Sequence, residues 1–258
     1  MGMLSTPAVL IRRTDYGDYD LILKFFSLES GALTAIAKSA KKSTKRFAGI
    51  LELFSMLNIV VSRRKGRGMP VLQEASLENP LSSIRASIEK TAYASYWAEL
   101  IQGWMEEWEP QPQIFHLLCH VLMGLHSDSG EAAALSILFQ MQMLRLAGFR
   151  PNLRRCSHCG AELSLAGTGR FALDLSGGGI RCDTCSTSMV RRAGLSASTI
   201  KQLLWAESES LAKAARMKFS PMAIREGIDF LEGFVPYHLG RRPRSLKILQ
   251  QIRGAQSI

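Results

Sequence analysis

Residues 156–159 read CSHC and residues 182–185 read CDTC, and these two CxxC pairs hold four of the five cysteines in a chain of 258 residues. Thiolates two residues apart can converge on one tetrahedral metal ion, and two such pairs supply four sulfur ligands and leave no open position for a substrate. Cys156, Cys159, Cys182 and Cys185 are therefore the candidate ligands of one structural zinc ion, Zn2+. The 22 residues between the pairs exceed the usual spacer, and within them FALDL followed by GGGI reads as a hairpin that returns the second pair to the first. His158 lies inside the first pair, but four sulfurs already complete the shell. Cys119 sits in an apolar helical stretch and reads as a small core residue.

Thiols kept for a metal imply a reducing compartment, and no signal-peptide pattern precedes them, so a cytoplasmic protein is expected. No apolar run reaches the roughly 18 residues that a membrane span needs, and no membrane partner is expected. MGMLST matches the short myristoylation pattern at Gly2, but it leads straight into an apparent strand.

Around the cysteines the chain has two textures. The first 80 residues read as five short strands, 7–13, 20–28, 31–40, 53–63 and 69–77, separated by Gly, Asp, Ser and Lys clusters, and five strands suit a small closed barrel. The KGRG turn at 65–68 makes the last two strands a hairpin. After Pro80 the apolar pattern takes a helical period, first over 82–108, where the stripe is loose, then over 113–125 and 131–148, with Gly148 as a C-terminal cap. Further helices open on the hydroxyls of Ser196, Ser220 and Ser245. The expected class is α+β: a barrel domain over 1–80 and an all-α helical domain over 81–258, interrupted at 153–190 by the inserted four-cysteine zinc module.

Charge narrows the function. The chain carries 32 Lys plus Arg against 22 Asp plus Glu, a net +10, which favours polyanions. The excess is +5 in residues 1–80, −3 in 81–150 and +8 in 151–258. Lys38, Lys41, Lys42, Lys45 and Arg46 follow the third strand, and Arg63, Arg64, Lys65 and Arg67 surround the turn after the fourth, with Glu52 alone opposing them. Loops of a small barrel can bring both clusters onto one groove. Tyr16, Tyr19 and Phe47 could stack on unpaired bases there, or plug the barrel ends while the lysines are solvated. Arg154, Arg155, Arg181, Arg191 and Arg192 crowd the cysteine module, either to neutralise a metal tetrathiolate or to contact nucleic acid. Asp15, Asp18 and Asp20 raise a zinc-dependent nucleic-acid-processing enzyme as an alternative, and the cysteines alone would also suit a zinc-ribbon RNA-binding protein. No nucleophile motif, Walker loop or GxGxxG accompanies the aspartates.

RRTDYGDYDLILKFFSLESGALTAIAKSAKK, LELFSMLNIVV, LRLAGFRPNLRRCSHCG, CDTC and RRPRSLKILQQI together resemble the bacterial RecO family of recombination mediators, over essentially the whole chain. The resemblance implies an N-terminal OB-fold and a helical region carrying a zinc module. It implies a non-enzymatic role, with no catalytic residues: binding of single- and double-stranded DNA, annealing of complementary strands, binding of the C-terminal tail of single-stranded-DNA-binding protein (SSB), and loading of RecA with RecR. RecF is a further partner, RecA an indirect one, and the nucleoid the place of work. Where many relatives carry Lys-Gly after the third strand, this chain carries Lys38-Ser39. Some relatives lack the cysteines, so the metal is not essential to the family's activity.

Overall fold

The computed structural model describes residues 2–43, 45–63, 68–186, 194–208 and 210–256. They divide into two compact units, residues 1–129 with 247–258, and residues 130–246.

The first unit is built on a closed barrel of β1 (Gly2–Tyr16), β2 (Asp20–Ser27), β3 (Gly31–Ala37), β4 (Met56–Arg63) and β5 (Val71–Asn79). Its strand order β1-β2-β3-β5-β4 is that of an OB-fold. Period-two patterning fills the interior: Leu21, Leu23 and Phe25 of β2, Leu33, Ala35 and Ala37 of β3, and Leu57, Ile59 and Val61 of β4 all point into one core. β1 is longer than its apolar run because it serves two neighbours, pairing with β4 from Gly2 to Val9 and with β2 from Ala8 to Tyr16. A bulge between Leu10 and Arg12 shifts the register, and Val9, Leu10 and Ile11 are all buried. β4 and β5 pair antiparallel as a hairpin requires, while most of its KGRG turn lies outside the described residues.

The loose stretch after Pro80 is two helices, α1 (Ser82–Arg85) and α2 (Ile88–Trp104), the second capped by Ser87, whose hydroxyl accepts from the Lys90 amide. α2 shows no clean stripe because it is buried on several sides, with Tyr93, Tyr96, Trp97, Leu100 and Ile101 all inside. α3 (Pro112–His126) follows. Phe26, on the outer face of β2, meets its Phe115 with ring centroids 6.3 Å apart, and burying such a ring contributes about 1.5–3 kcal/mol. Arg85 donates to the carbonyls of Leu53 and Pro80 at 2.8 Å.

The second unit is organised around α4 (Ala132–Leu146), in which every residue from Leu135 to Leu144 is buried. Its buried amides are satisfied: Gln140 donates to Ser136 and Gln142 to the carbonyls of Ala206 and Glu207. Gly148 ends the helix at φ +82, its own amide reaching Arg145 O while Phe149 N donates to Leu144 O at 2.8 Å, a Schellman closure. α5 (Ala197–Ser208), the short α6 (Leu211–Ala214) and α7 (Pro221–Leu239) follow. The Ser196 and Ser220 hydroxyls accept from the Thr199 and Ala223 amides as caps. The last helix, α8, spans Arg244–Gln256, so Ser245 lies inside it and not before it. Between α4 and α5 the chain forms a four-stranded sheet, β6 (Asn152–Cys156), β7 (Arg170–Asp174), β8 (Gly179–Arg181) and β9 (Leu195–Ser196), in the order β6-β8-β7-β9. The FALDL–GGGI hairpin is its β7–β8 pair; β9, only two residues long, carries no strand signature in the sequence.

Gly31 shows how tightly the barrel is wrapped by the chain after α2. It sits at φ +59, and a Cβ there would fall 1.9 Å from the Glu109 carbonyl oxygen. Left-handed backbone and steric overlap both oppose a side chain. Gly31→Ala is expected to destabilise the first unit by about 2–4 kcal/mol, read as a lower urea midpoint with unchanged slope; an unshifted midpoint would show that the 107–109 segment moves aside freely.

Candidate metal centre and nucleic-acid interface

Cys156 ends β6, and the knuckle after it is closed by Gly160, whose amide donates to Cys156 O at 3.0 Å from a left-handed φ of +74. Cys182 follows β8 directly, and the Cys185 amide donates back to Cys182 O at 3.2 Å. Since β8 lies between β6 and β7, the hairpin carries the second pair alongside the first. All four sulfurs lie within 4.8 Å of one another, and Cys159 and Cys182 are 3.8 Å apart. A metal–sulfur bond of about 2.3 Å in a tetrahedron sets its sulfurs about 3.8 Å apart, so the four cysteines fit one ion. His158 is exposed and outside the cluster.

The thiols conflict with one another when only protons are available. Burial raises the pKa of Cys156, but amides of Cys159, Cys182 and His158 outweigh it and bring the thiol down to about 6. Hydrogen bonds from Cys185 to Cys182 and to Cys159 push Cys185 up to about 12. A dication removes the conflict by accepting all four as thiolates.

Asp174, at the end of β7 and 7 % exposed, holds the scaffold of this site. Its carboxylate accepts from Arg181 Nε at 2.8 Å, Ser157 Oγ at 2.7 Å, Ser176 Oγ at 3.0 Å and the Gly177 amide at 3.1 Å. Arg181 first, with the hydroxyls and amide, holds its pKa far below the usual carboxylate range against the opposing effect of burial. A depressed carboxylate contributes stability above its unfolded pKa and loses it only as pH falls through the folded value, so these contacts are at full strength at neutral pH. Arg181 is thus spent on Asp174, one residue before the second pair. Elsewhere in the module Glu226 of α7 binds Arg170 at 2.6 Å and accepts from Ser196 and Thr199. Neither carboxylate stood out in the sequence, although Asp-x-Ser-Gly at 174–177 has the residues of an Asx turn. Arg191 and Arg192 lie outside the described residues.

At the barrel, the β1–β2 loop and the segment after β3 meet. Ser39 adopts φ +54, the conformation that glycine would take without cost, and its amide donates to Asp20 Oδ1 at 2.7 Å. The Lys41 amide donates to Tyr19 O at 3.0 Å. The cations are then engaged unequally. Lys41 Nζ is 3.2 Å from Asp15 and from Gly17 O, and Arg46 donates to Lys38 O. The Lys42 ammonium lies 3.4 Å from the centre of the Tyr19 ring. Lys38 and Lys45 are exposed and make no ion pair among the described residues. Glu52, the acid among these cations, is taken up by Arg13 at 2.9 Å. Tyr16 and Tyr19 are 54 % and 46 % exposed. Phe47 differs from the stacking expectation: it is 3 % exposed inside the barrel core, with Arg46 4.4 Å over its ring, because Ser43 turns the chain inward by accepting from the Arg46 and Phe47 amides. The side chain of Arg63 and the whole of Arg64, Lys65 and Arg67 lie outside the described residues.

Two aspartates of the β1–β2 loop are committed locally, Asp15 to Lys41 and Asp20 to Ser39. Among the described residues the four cysteines are the only group of three or more His, Cys, Asp or Glu whose ligand atoms converge, and no helix is long and apolar enough to cross a membrane.

Comparison with known proteins agrees over the full length. The family model described as "Recombination protein O N terminal" matches residues 1–81, and "Recombination protein O C terminal" matches 85–247. The chain is 44 % identical over 254 residues to the DNA repair protein RecO of Desulfosudis oleivorans, covering 96 % of this chain and 98 % of that protein. It is 43 % identical to the protein of the same name from Desulfatibacillum aliphaticivorans and 32 % to that of Anaeromyxobacter sp. strain K, each covering 98 % of both chains.

Because Asp174 ties both cysteine-bearing segments together, Asp174→Asn is expected to weaken metal binding about 10- to 100-fold, measured by competition with a coloured chelator. Retention equal to the parent protein would show that the four sulfurs orient themselves.

Proposed function

Because the chain belongs to the RecO family, we propose that it is a non-enzymatic DNA repair and recombination protein that binds single- and double-stranded DNA and anneals complementary strands. In this reading it helps load RecA onto SSB-coated single strands together with RecR, and its further contacts are the SSB C-terminal tail and RecF. It works in the cytoplasm on nucleoid DNA.

The observation that carries the proposal is the barrel's loop end, where Lys42 lies over the exposed Tyr19 ring and Lys38, Lys45 and Tyr16 are exposed on the same two chain segments. Annealing brings two polyanions together, and cations that replace condensed counterions lower that repulsion. Aromatic rings beside them hold bases unpaired long enough to sample partners. The β2–β3 face, a common nucleic-acid platform of OB-folds, is obstructed here: Glu107 accepts from Thr34 at 2.7 Å, sits 3.5 Å from Lys24, and is followed by Trp108, whose amide donates to Ala32 O. An acidic strap on that face favours the loop end for phosphate.

The module contributes shape. Zinc suits four soft sulfurs in a closed tetrahedral shell; Cys156, Cys159, Cys182 and Cys185 would hold it, and it would supply folding energy to a small sheet with little core. The residues' own work there is positioning: Asp174 orients Arg181 and Ser157, and Glu226 joins α7 to β9.

Two outcomes test this. Freshly purified protein should contain one zinc per chain by elemental analysis, and Cys182→Ser should lose it; metal-free parent protein would refute the assignment. Replacing Lys38, Lys42 and Lys45 together by Ala should flatten the slope of log affinity against log salt for single strands by about 2, at about 0.7 per lost phosphate contact. Tyr19→Ala should instead cost about 1–3 kcal/mol with the slope kept. A triple variant with the parent slope would show that the barrel end does not hold phosphate.

A further inference from the structure

Pro151 breaks the chain after α4, and the arginines on either side of it do not serve the metal site. A cavity of 350 Å3 opens here, lined by Arg150, Asn152, Leu153, Arg154, Arg155 and Leu204. Arg150 is ion-paired with Glu207, a carboxylate of α5 that is 0 % exposed. Burial raises the pKa of Glu207, and Arg150 foremost, then Arg145 and Arg154, oppose the rise. Glu207 pairs with Arg150 alone, and Arg154 and Arg155, which also line the cleft, make no ion pair among the described residues. Asn152 points its acceptor away from any ligand: Oδ1 takes the Arg154 and Arg155 amides at 3.3 and 3.1 Å, which leaves the side-chain NH2 as one more donor. A second cavity of this size in the unit, lined among others by Arg170, Arg225, Glu226 and Asp229, balances its charges, and there Arg170 is consumed by Glu226.

We propose that the cleft walled by Arg150, Arg154 and Arg155 binds the phosphodiester backbone of a nucleic-acid strand, as a second site independent of the barrel. The proposal rests on the nucleic-acid reading of the chain but not on the barrel as its site. Guanidinium forks match phosphate oxygens in pairs and cannot lose their charge. An acidic protein tail ending in an apolar residue would need an apolar pocket beside the cations, and here Leu153 and Leu204 are almost wholly buried. Trp205, next after the lining residue Leu204, is 47 % exposed, and Lys201 one turn earlier on α5 is exposed too. Four residues apart, they share one exposed face of α5, where a cation and an indole suit a phosphate and an unpaired base. Glu207 is a positioning residue: it fixes Arg150 from below without reaching the ligand. A chain with two such sites holds two strands at once, which annealing requires.

The test uses full-length protein in which Lys38, Lys42 and Lys45 are already Ala. Binding of a labelled single strand should persist in this background. Adding Arg154→Ala and Arg155→Ala should flatten the salt slope by a further 1.4 or so, making the affinity loss between 50 and 200 mM salt about sevenfold smaller. Arg154→Lys with Arg155→Lys should keep the slope, and Arg150 is left intact so that Glu207 stays paired. An unchanged slope in the double Ala variant, with an unchanged melting temperature, overturns the proposal. So does loss of binding to a synthetic acidic peptide with a free C-terminal carboxylate while the DNA slope stays put, which would assign the cleft to a protein tail. If the Lys variant alone already has the parent slope, the barrel reading falls and the cleft is judged on its own substitutions.

Discussion

Four sulfurs held within 4.8 Å of one another are the constraint on which the cysteine module depends. So many thiols cannot all ionise in contact, and as thiols they compete for the same protons, driving Cys156 down and Cys185 up. The backbone nevertheless spends considerable order on the arrangement: two knuckles, a left-handed Gly160, a parallel β6–β8 pair, and Asp174 with four donors. The sheet buries few large side chains of its own, Phe171, Ile180 and Leu153 among them. Ordering cost without a matching core is what a bound metal offsets in small modules.

The same module explains why the arginines around it do not form one population. Arg181 is bound to Asp174 of β7 and Arg170 to Glu226 of α7. Arg154 and Arg155, on the strand that carries Cys156, line a cleft and make no ion pair among the described residues. Counting positive charges near a tetrathiolate therefore overstates how many neutralise it. The carboxylates available to pair with them decide, and Asp174, Glu226 and Glu207 are already used.

The strands, the hairpin and the four ligands were legible in the sequence because each rests on a local pattern: alternation in β2, β3 and β4, glycines at the β7–β8 turn, and CxxC spacing. α2 was legible as helix but not as two elements, since a helix buried on several sides has no stripe to mark its start, and only Ser87 reveals the cap. Phe47 was legible as either a stacking ring or a plug of the barrel, because its neighbours in sequence are basic and exposed, and its side chain follows the Ser43 turn into the core. The cleft was hidden for a different reason. Glu207 lies 57 positions after Arg150 in the chain, and no local pattern pairs an acid on α5 with an arginine before β6.

Ser39 and the strap at Glu107 act on the same question, which side of the barrel is offered to a polyanion. A residue with Cβ at φ +54 costs on the order of 1 kcal/mol relative to glycine, and here that strain is held by the Asp20 carboxylate on the Ser39 amide and by the Lys41 amide on Tyr19 O. These bonds fix the β1–β2 loop against the segment after β3, so Tyr19 and Lys42 are set at 3.4 Å before any ligand arrives. On the neighbouring face Glu107 occupies the donors of Lys24 and Thr34, and the Trp108 amide on Ala32 O ties the strap to β3. A strand approaching the barrel thus meets a carboxylate on the sheet and preset cations at the loops. Because both arrangements are built into the free protein, the proposed binding at the loop end would need little reorganisation, and its selectivity would come from repulsion at one face as much as from attraction at the other.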